Sequence, residues 1–90
     1  MARAWEPDTS AGFERRLGKS PVALGVSESA ELECPDVWLL TNGDVAVIGR
    51  DLTAEYTTRL PKGVSVGPGE RLVVLPGAVL SAAKRDIPNP

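Results

Sequence analysis

The chain reads as a small α+β domain: a mixed sheet of about four strands with a central Asn-Gly hairpin, two short helices packed on it, and a loose N-terminal arm. Three observations predict this class. Two apolar runs, "VWLL" and "VAVIG", flank Asn42-Gly43. Two later stretches, "LTAEYTTRL" and "GAVLSAAKRD", space their apolar residues as helices do. Eight prolines and nine glycines make up nearly a fifth of the 90 residues, which keeps every element short. Residues 1 to 21 are read as the arm and residues 22 to 90 as one domain, a length that allows a single core.

In the arm, Ser10 is placed to cap a short helix over "AGFERRL", with Phe13 and Leu17 on one face and Gly18 ending it. Two turns of helix are marginal alone. Trp5, Phe13 and Leu17 must then dock on the main body or on another molecule, and they are the candidate partner-binding residues. "PVALGV" alternates Val22, Leu24 and Val26 with smaller residues and reads as a strand. The acidic "SESAELECPD" that follows has no period and reads as a loop.

Asn42-Gly43 suits the centre of a type I′ turn, which would set Leu40 opposite Val45 and Trp38 opposite Val47. Val37, Leu39, Ala46 and Ile48 would share the other side. Both sides are then apolar, and both need cover. Asp51 or Thr53 begins the next helix, with Leu52, Tyr56 and Leu60 along one face and Glu55 and Arg59 spaced as an ion pair. Pro61 ends it, and Pro68-Gly69 fits a type II turn. "RLVVLP" is a second buried strand. Its linker is long enough for a parallel right-handed crossover, and an antiparallel return stays open. Val79, Leu80 and Ala83 point the last helix inward.

Composition narrows the function. Hydrophobic residues at 42% and charged residues at 24% are ordinary for a globular chain. A net charge of −2 gives no basic footprint for nucleic acid or anionic lipid. A single cysteine, Cys34, cannot form an intrachain disulfide, and the opening "MARAWEPDTS" has no apolar segment of a signal peptide. No apolar run is long enough to span a bilayer. The expected location is the cytoplasm.

Tempting motifs fail on chemistry. "GKS" at 18 to 20 has Phe13 where a phosphate loop needs glycine. "SAAK" at 81 to 84 pairs a hydroxyl with an amine, but no companion motif supplies an oxyanion site or pocket. Cys34 sits among Glu31, Glu33 and Asp36, which disfavour a thiolate, and the chain has no histidine to activate it. Those carboxylates fall short of a calcium loop, and without histidine or further cysteine zinc is excluded. No catalytic set, cofactor site or metal site is expected.

The string Cys34-Pro35-x-Val37, Asn42-Gly43-Asp44-x-Ala46-Val47-Ile48-Gly49 and Asp51-x-Thr53 resembles a group of short, uncharacterised actinobacterial proteins. Leu60-Pro61, Gly69-Glu70-Arg71, Val73-Val74-Leu75-Pro76 and Ala82-Ala83-Lys84 extend the likeness over residues 34 to 87 or so. Arg50 departs from it, standing where a small residue is expected. The group often lies beside genes for helix-turn-helix regulators, so the resemblance implies a regulatory context and brings no catalytic residue. The expected function is a non-catalytic interaction or regulatory module with a protein partner, a DNA-binding regulator being the one implied, and a share of self-association. The alternative is a small ligand-binding or accessory enzyme subunit, using the strand-to-helix mouth near Arg50, Asp51 and Arg71.

Overall fold

The computed structural model describes residues 5–26 and 35–88. It is a small α+β fold, with five short strands in two antiparallel sheets and two short helices. Strands β1 (Phe13–Arg16), β2 (Asp36–Leu40) and β3 (Val45–Ile48) form a sheet in the order β1-β2-β3. Strand β4 (Arg50–Asp51) pairs with β5 (Val73–Val74) in a separate ribbon. Helix α1 (Thr53–Tyr56) runs into a 3₁₀ turn at Thr57–Arg59, and α2 (Gly77–Ala83) into another at Lys84–Asp86. No sheet is mixed. The return of β5 onto β4 is antiparallel, with Arg50 opposite Val74 and Asp51 opposite Val73.

The hairpin forms where expected but slips by one residue. Leu40 N–H donates to the Asp44 carbonyl at 2.8 Å, and Gly43 N–H donates to Leu40 at 3.1 Å, so the loop is Thr41-Asn42-Gly43. A type I′ turn would need positive φ at Asn42. Only glycines adopt positive φ among the described residues, Gly43 at 90° being one. The loop is therefore a type I turn closed by a left-handed glycine, the usual three-residue hairpin. Leu39 now faces Val45 and Val37 faces Val47, while Trp38 faces Ala46. A slip of one residue turns all of β3 over relative to β2.

Two further expectations are corrected. "AGFERRL" contains β1 in place of a helix, since an antiparallel edge on β2 satisfies its backbone where two isolated helical turns would not. "PVALGV" is a set of turns: Leu24 N–H donates to Ser20 at 3.1 Å and Val26 N–H to Pro21 at 3.0 Å. Ser20 Oγ accepts from Ala23 N–H at 3.2 Å, Pro21 follows it, and Gly25 takes φ 73°, so the segment carries start and stop signals for one helical turn. The Cys34 loop expectation lies outside the described residues.

The core is small. Leu17, Val37, Leu39, Val79 and Ala83 are buried, with Leu24, Val26 and Leu75 packed against them. Helix α2 presses Val79 and Ala83 toward β2 but leaves Leu80 54% exposed, contrary to its expected inward place. The Cα radius of gyration is 14.6 Å, against roughly 12 Å for a compact chain of this length.

Close packing at one glycine can be tested. Gly18 has φ 85°, and a Cβ there would come within 2.8 Å of the Ala82 and Ala83 backbone, whereas Gly25 has open space around it. Gly25→Ala is expected to cost about 1–2 kcal/mol from left-handed strain alone. Gly18→Ala should cost roughly 1–3 kcal/mol more. Urea unfolding of the two variants side by side measures the difference.

Candidate functional site

Three surfaces meet around the three-stranded sheet. The inner face of β2 is sealed by α2 and Leu17, leaving Val37 and Leu39 at 1% and 6% exposure. Cross-strand partners share a face, so Val45 and Val47 lie on that same side. They remain 46% and 43% exposed, because a seven-residue helix spans only one strand's width of sheet. Ile87, at 44% exposure, lies beside Val45 and Leu39 in a hollow of about 470 Å³. It also lies beside Leu80 in an adjoining hollow of about 490 Å³. An apolar strip thus runs from α2 past Ile87 to β3.

The outer face is built around a buried carboxylate. Asp36, 3% exposed, accepts from Arg16 Nε at 3.0 and 3.1 Å, from Trp38 Nε1 at 3.0 Å and from its neighbour Val37 N–H at 3.0 Å. The Arg16 guanidinium also lies over the Trp38 ring, 4.9 Å from its centroid. Phe13 meets that ring edge-on at 5.7 Å. This knot ties β1 to β2 through charge, ring and backbone together. Phe13 stays 64% exposed and Trp5 62% exposed, as a partner contact requires. Leu17 does not: at 1% exposure it belongs to the core and has no surface to offer.

The third feature is an edge. Ladder bonds fall on alternate residues of an antiparallel pair. Counting from the Leu40–Asp44 bond, Ala46 and Ile48 bond to β2, and the main-chain groups of Val45 and Val47 point away from it. Val37, opposite Val47, accepts from Leu17 N–H at 2.9 Å on its β1 side, as this alternation requires. Among the described residues β3 has one neighbour, β2.

The strand-to-helix mouth is an exposed polar junction. Asp51 accepts from Thr53 N–H at 3.0 Å and from its hydroxyl at 2.7 Å, and Arg71 stands 3.8 Å away. These bonds, the hydroxyl first, hold the Asp51 carboxyl below its ordinary pKa. Thr53 Oγ1 in turn accepts from Leu72 N–H at 2.8 Å, so Asp51 helps to close α1 onto the chain leading into β5. Arg59 donates to the Glu55 backbone carbonyl at 3.1 Å and lies over Tyr56 at 4.4 Å, in place of the expected Glu55 ion pair. Arg50 borders a cavity of about 410 Å³ with Gly49, Leu52, Val74, Leu75 and Pro76. Among the described residues no cluster of three metal-ligating side chains occurs, and no helix is long and apolar enough to cross a membrane.

The Arg16–Asp36–Trp38 knot has no local sequence signal, since its members lie 20 residues apart and one sits in a segment patterned like a helix. The contrast between "FERR" and "VAVI" was visible as charge against its absence. No protein-family model, no curated protein and no solved structure matches this chain.

Removing the buried carboxylate leaves Arg16 and the Trp38 indole N–H without it, and Asp36→Ala is expected to cost about 2–3 kcal/mol by urea unfolding. Asp51 behaves differently. Its folded pKa lies below its unfolded one, so its carboxylate favours folding above the unfolded value and that contribution is lost as pH falls through the folded value. Stabilities of the native chain and Asp51→Asn should therefore differ at neutral pH and converge as pH falls below about 3.9.

Proposed function

We propose that this chain is a non-catalytic protein-interaction module with a regulatory role, accessory to a helix-turn-helix transcription regulator. The observation that supports it is the exposed apolar strip of Val45, Val47, Leu80 and Ile87, which continues the core outward with nothing described to cover it. The total accessible surface is 7014 Å². A compact monomer of 9.5 kDa exposes roughly 5000 Å². The surplus, roughly 2000 Å², exceeds the roughly 800 Å² that each partner contributes to a standard protein–protein interface. Trp38, with Phe13 edge-on to its ring and the Arg16 guanidinium over it, adds the aromatic and guanidinium chemistry that anchors such contacts. The regulatory role follows from the resemblance of residues 34 to 87 to proteins found beside helix-turn-helix regulators.

A second reading has one observation in its favour. The cavity beside Arg50 is lined mostly by apolar groups, as small-molecule sites are. Under that reading the chain binds a ligand or serves an enzyme as a subunit.

Titration calorimetry against a helix-turn-helix regulator from the same organism separates the two. Saturable binding is expected, weakened about tenfold or more by Leu80→Lys with Ile87→Lys, both being exposed enough to leave the fold intact. A rise of several degrees in melting temperature with one metabolite, and no heat with the regulator, would reverse the order of the readings.

A further inference from the structure

The two edges of the three-stranded sheet are built differently. The β1 edge reads Phe-Glu-Arg-Arg and is broken by a bulge between Phe13 and Arg15. Charges and a bulge are the devices by which an edge refuses another strand. The β3 edge reads Val-Ala-Val-Ile, regular in register against β2, with no charge, proline or bulge. It carries outward N–H and C=O groups at Val45 and Val47. Groups of that kind are met by a β-strand and by no other apolar surface.

We propose that β3 pairs antiparallel with β3 of a second copy, across a two-fold axis at Ala46, so that two three-stranded sheets become one of six strands. This rests on the reading of the chain as an interaction module and names its first partner. The register follows from the outward groups. Val45 then exchanges both main-chain hydrogen bonds with Val47 of the partner subunit, and Val47 with Val45 of the partner subunit. Ala46 faces its own symmetry mate at a non-hydrogen-bonded position, where Cα atoms approach to about 4.5 Å. The smallest side chain of the strand stands where space is least.

A second copy suits this edge better than the other edge of the sheet does. Glu14 and Arg15 on β1 would have to be desolvated by contact with valines, whereas the four residues of β3 bring no charge into a β3–β3 contact, and Asp44 stands at its rim. Paired β-branched residues favour such a ladder. The two-fold axis, normal to the sheet, also keeps both inner faces on one side. The two strips of Val45, Val47, Leu80 and Ile87 then join, and the surplus of roughly 2000 Å² per chain leaves ample area for a stable interface.

Sedimentation equilibrium of the full chain should give twice 9.5 kDa. The Val45 and Val47 amides should exchange about tenfold or more slowly in that particle than in the dissociated chain. Val47→Pro removes a donor that the isolated sheet does not use, a position where edge strands tolerate proline. It should halve the mass and leave the melting temperature at high dilution nearly unchanged. A dimer that survives Val47→Pro, or a native dimer whose Val45 and Val47 amides exchange fast, would overturn the β3 pairing. So would a chain that stays monomeric with those amides fast. If the chain is monomeric and the two amides slow only on adding the helix-turn-helix regulator, self-pairing is overturned while the docking reading stands.

Discussion

Everything in this fold hangs on burying one strand. β2 is the central strand of its sheet, and its Val37 and Leu39 supply two of the five residues of the buried apolar cluster described. The other three, Leu17, Val79 and Ala83, come from the two ends of the described chain and close over it from one side. On the other side Asp36 and Trp38 gather Arg16 and Phe13. The β4–β5 ribbon and α1 contribute no buried residue. A domain with so few buried side chains keeps a thin margin of stability, so each contact with β2 weighs heavily.

The slip at the hairpin shows how a local detail sets a global property. With a two-residue loop, Ala46 and Ile48 would have joined Val37 on the sealed side. The three-residue loop sends Val45 and Val47 there instead, next to a helix too short to reach them. The result is a sheet whose apolar inner face is wider than its cover. The edge beyond it lacks the charges and the bulge that mark β1. Width of face and plainness of edge point the same way.

What the sequence disclosed follows from how local each signal is. Asn42-Gly43 between apolar runs marked the hairpin, and the Pro68-Gly69 turn appears with Glu70 N–H donating to Gly67 at 3.0 Å and Gly69 at φ 80°. The face of α2 was legible through Val79 and Ala83, but Leu80 lies beyond the arc that one strand can cover. The loop length was not legible, because Asn-Gly serves both hairpin types and backbone φ at Asn42 decides between them. "AGFERRL" has helical spacing and yet pairs with β2, a contact between residues far apart in the chain that no local window contains. Val22, Leu24 and Val26 alternate as strands do, while Ser20, Pro21 and Gly25 carried the better signal for a turn. Surplus apolar strand surface was legible in kind but not in place: Leu17 went to the core, and Val45, Val47 and Ile87 are exposed apolar residues.

The span of the core in sequence has a consequence for synthesis. Val37 and Leu39 are made before Val79 and Ala83 can cover them, and the joining contacts bridge 40 residues or more. Until then the nascent ribbon holds an apolar face and an unguarded edge open to other chains on the same message. Such contacts form slowly and expose their makers meanwhile. The length of chain between strand and cover therefore sets how long that face stays open while the domain folds.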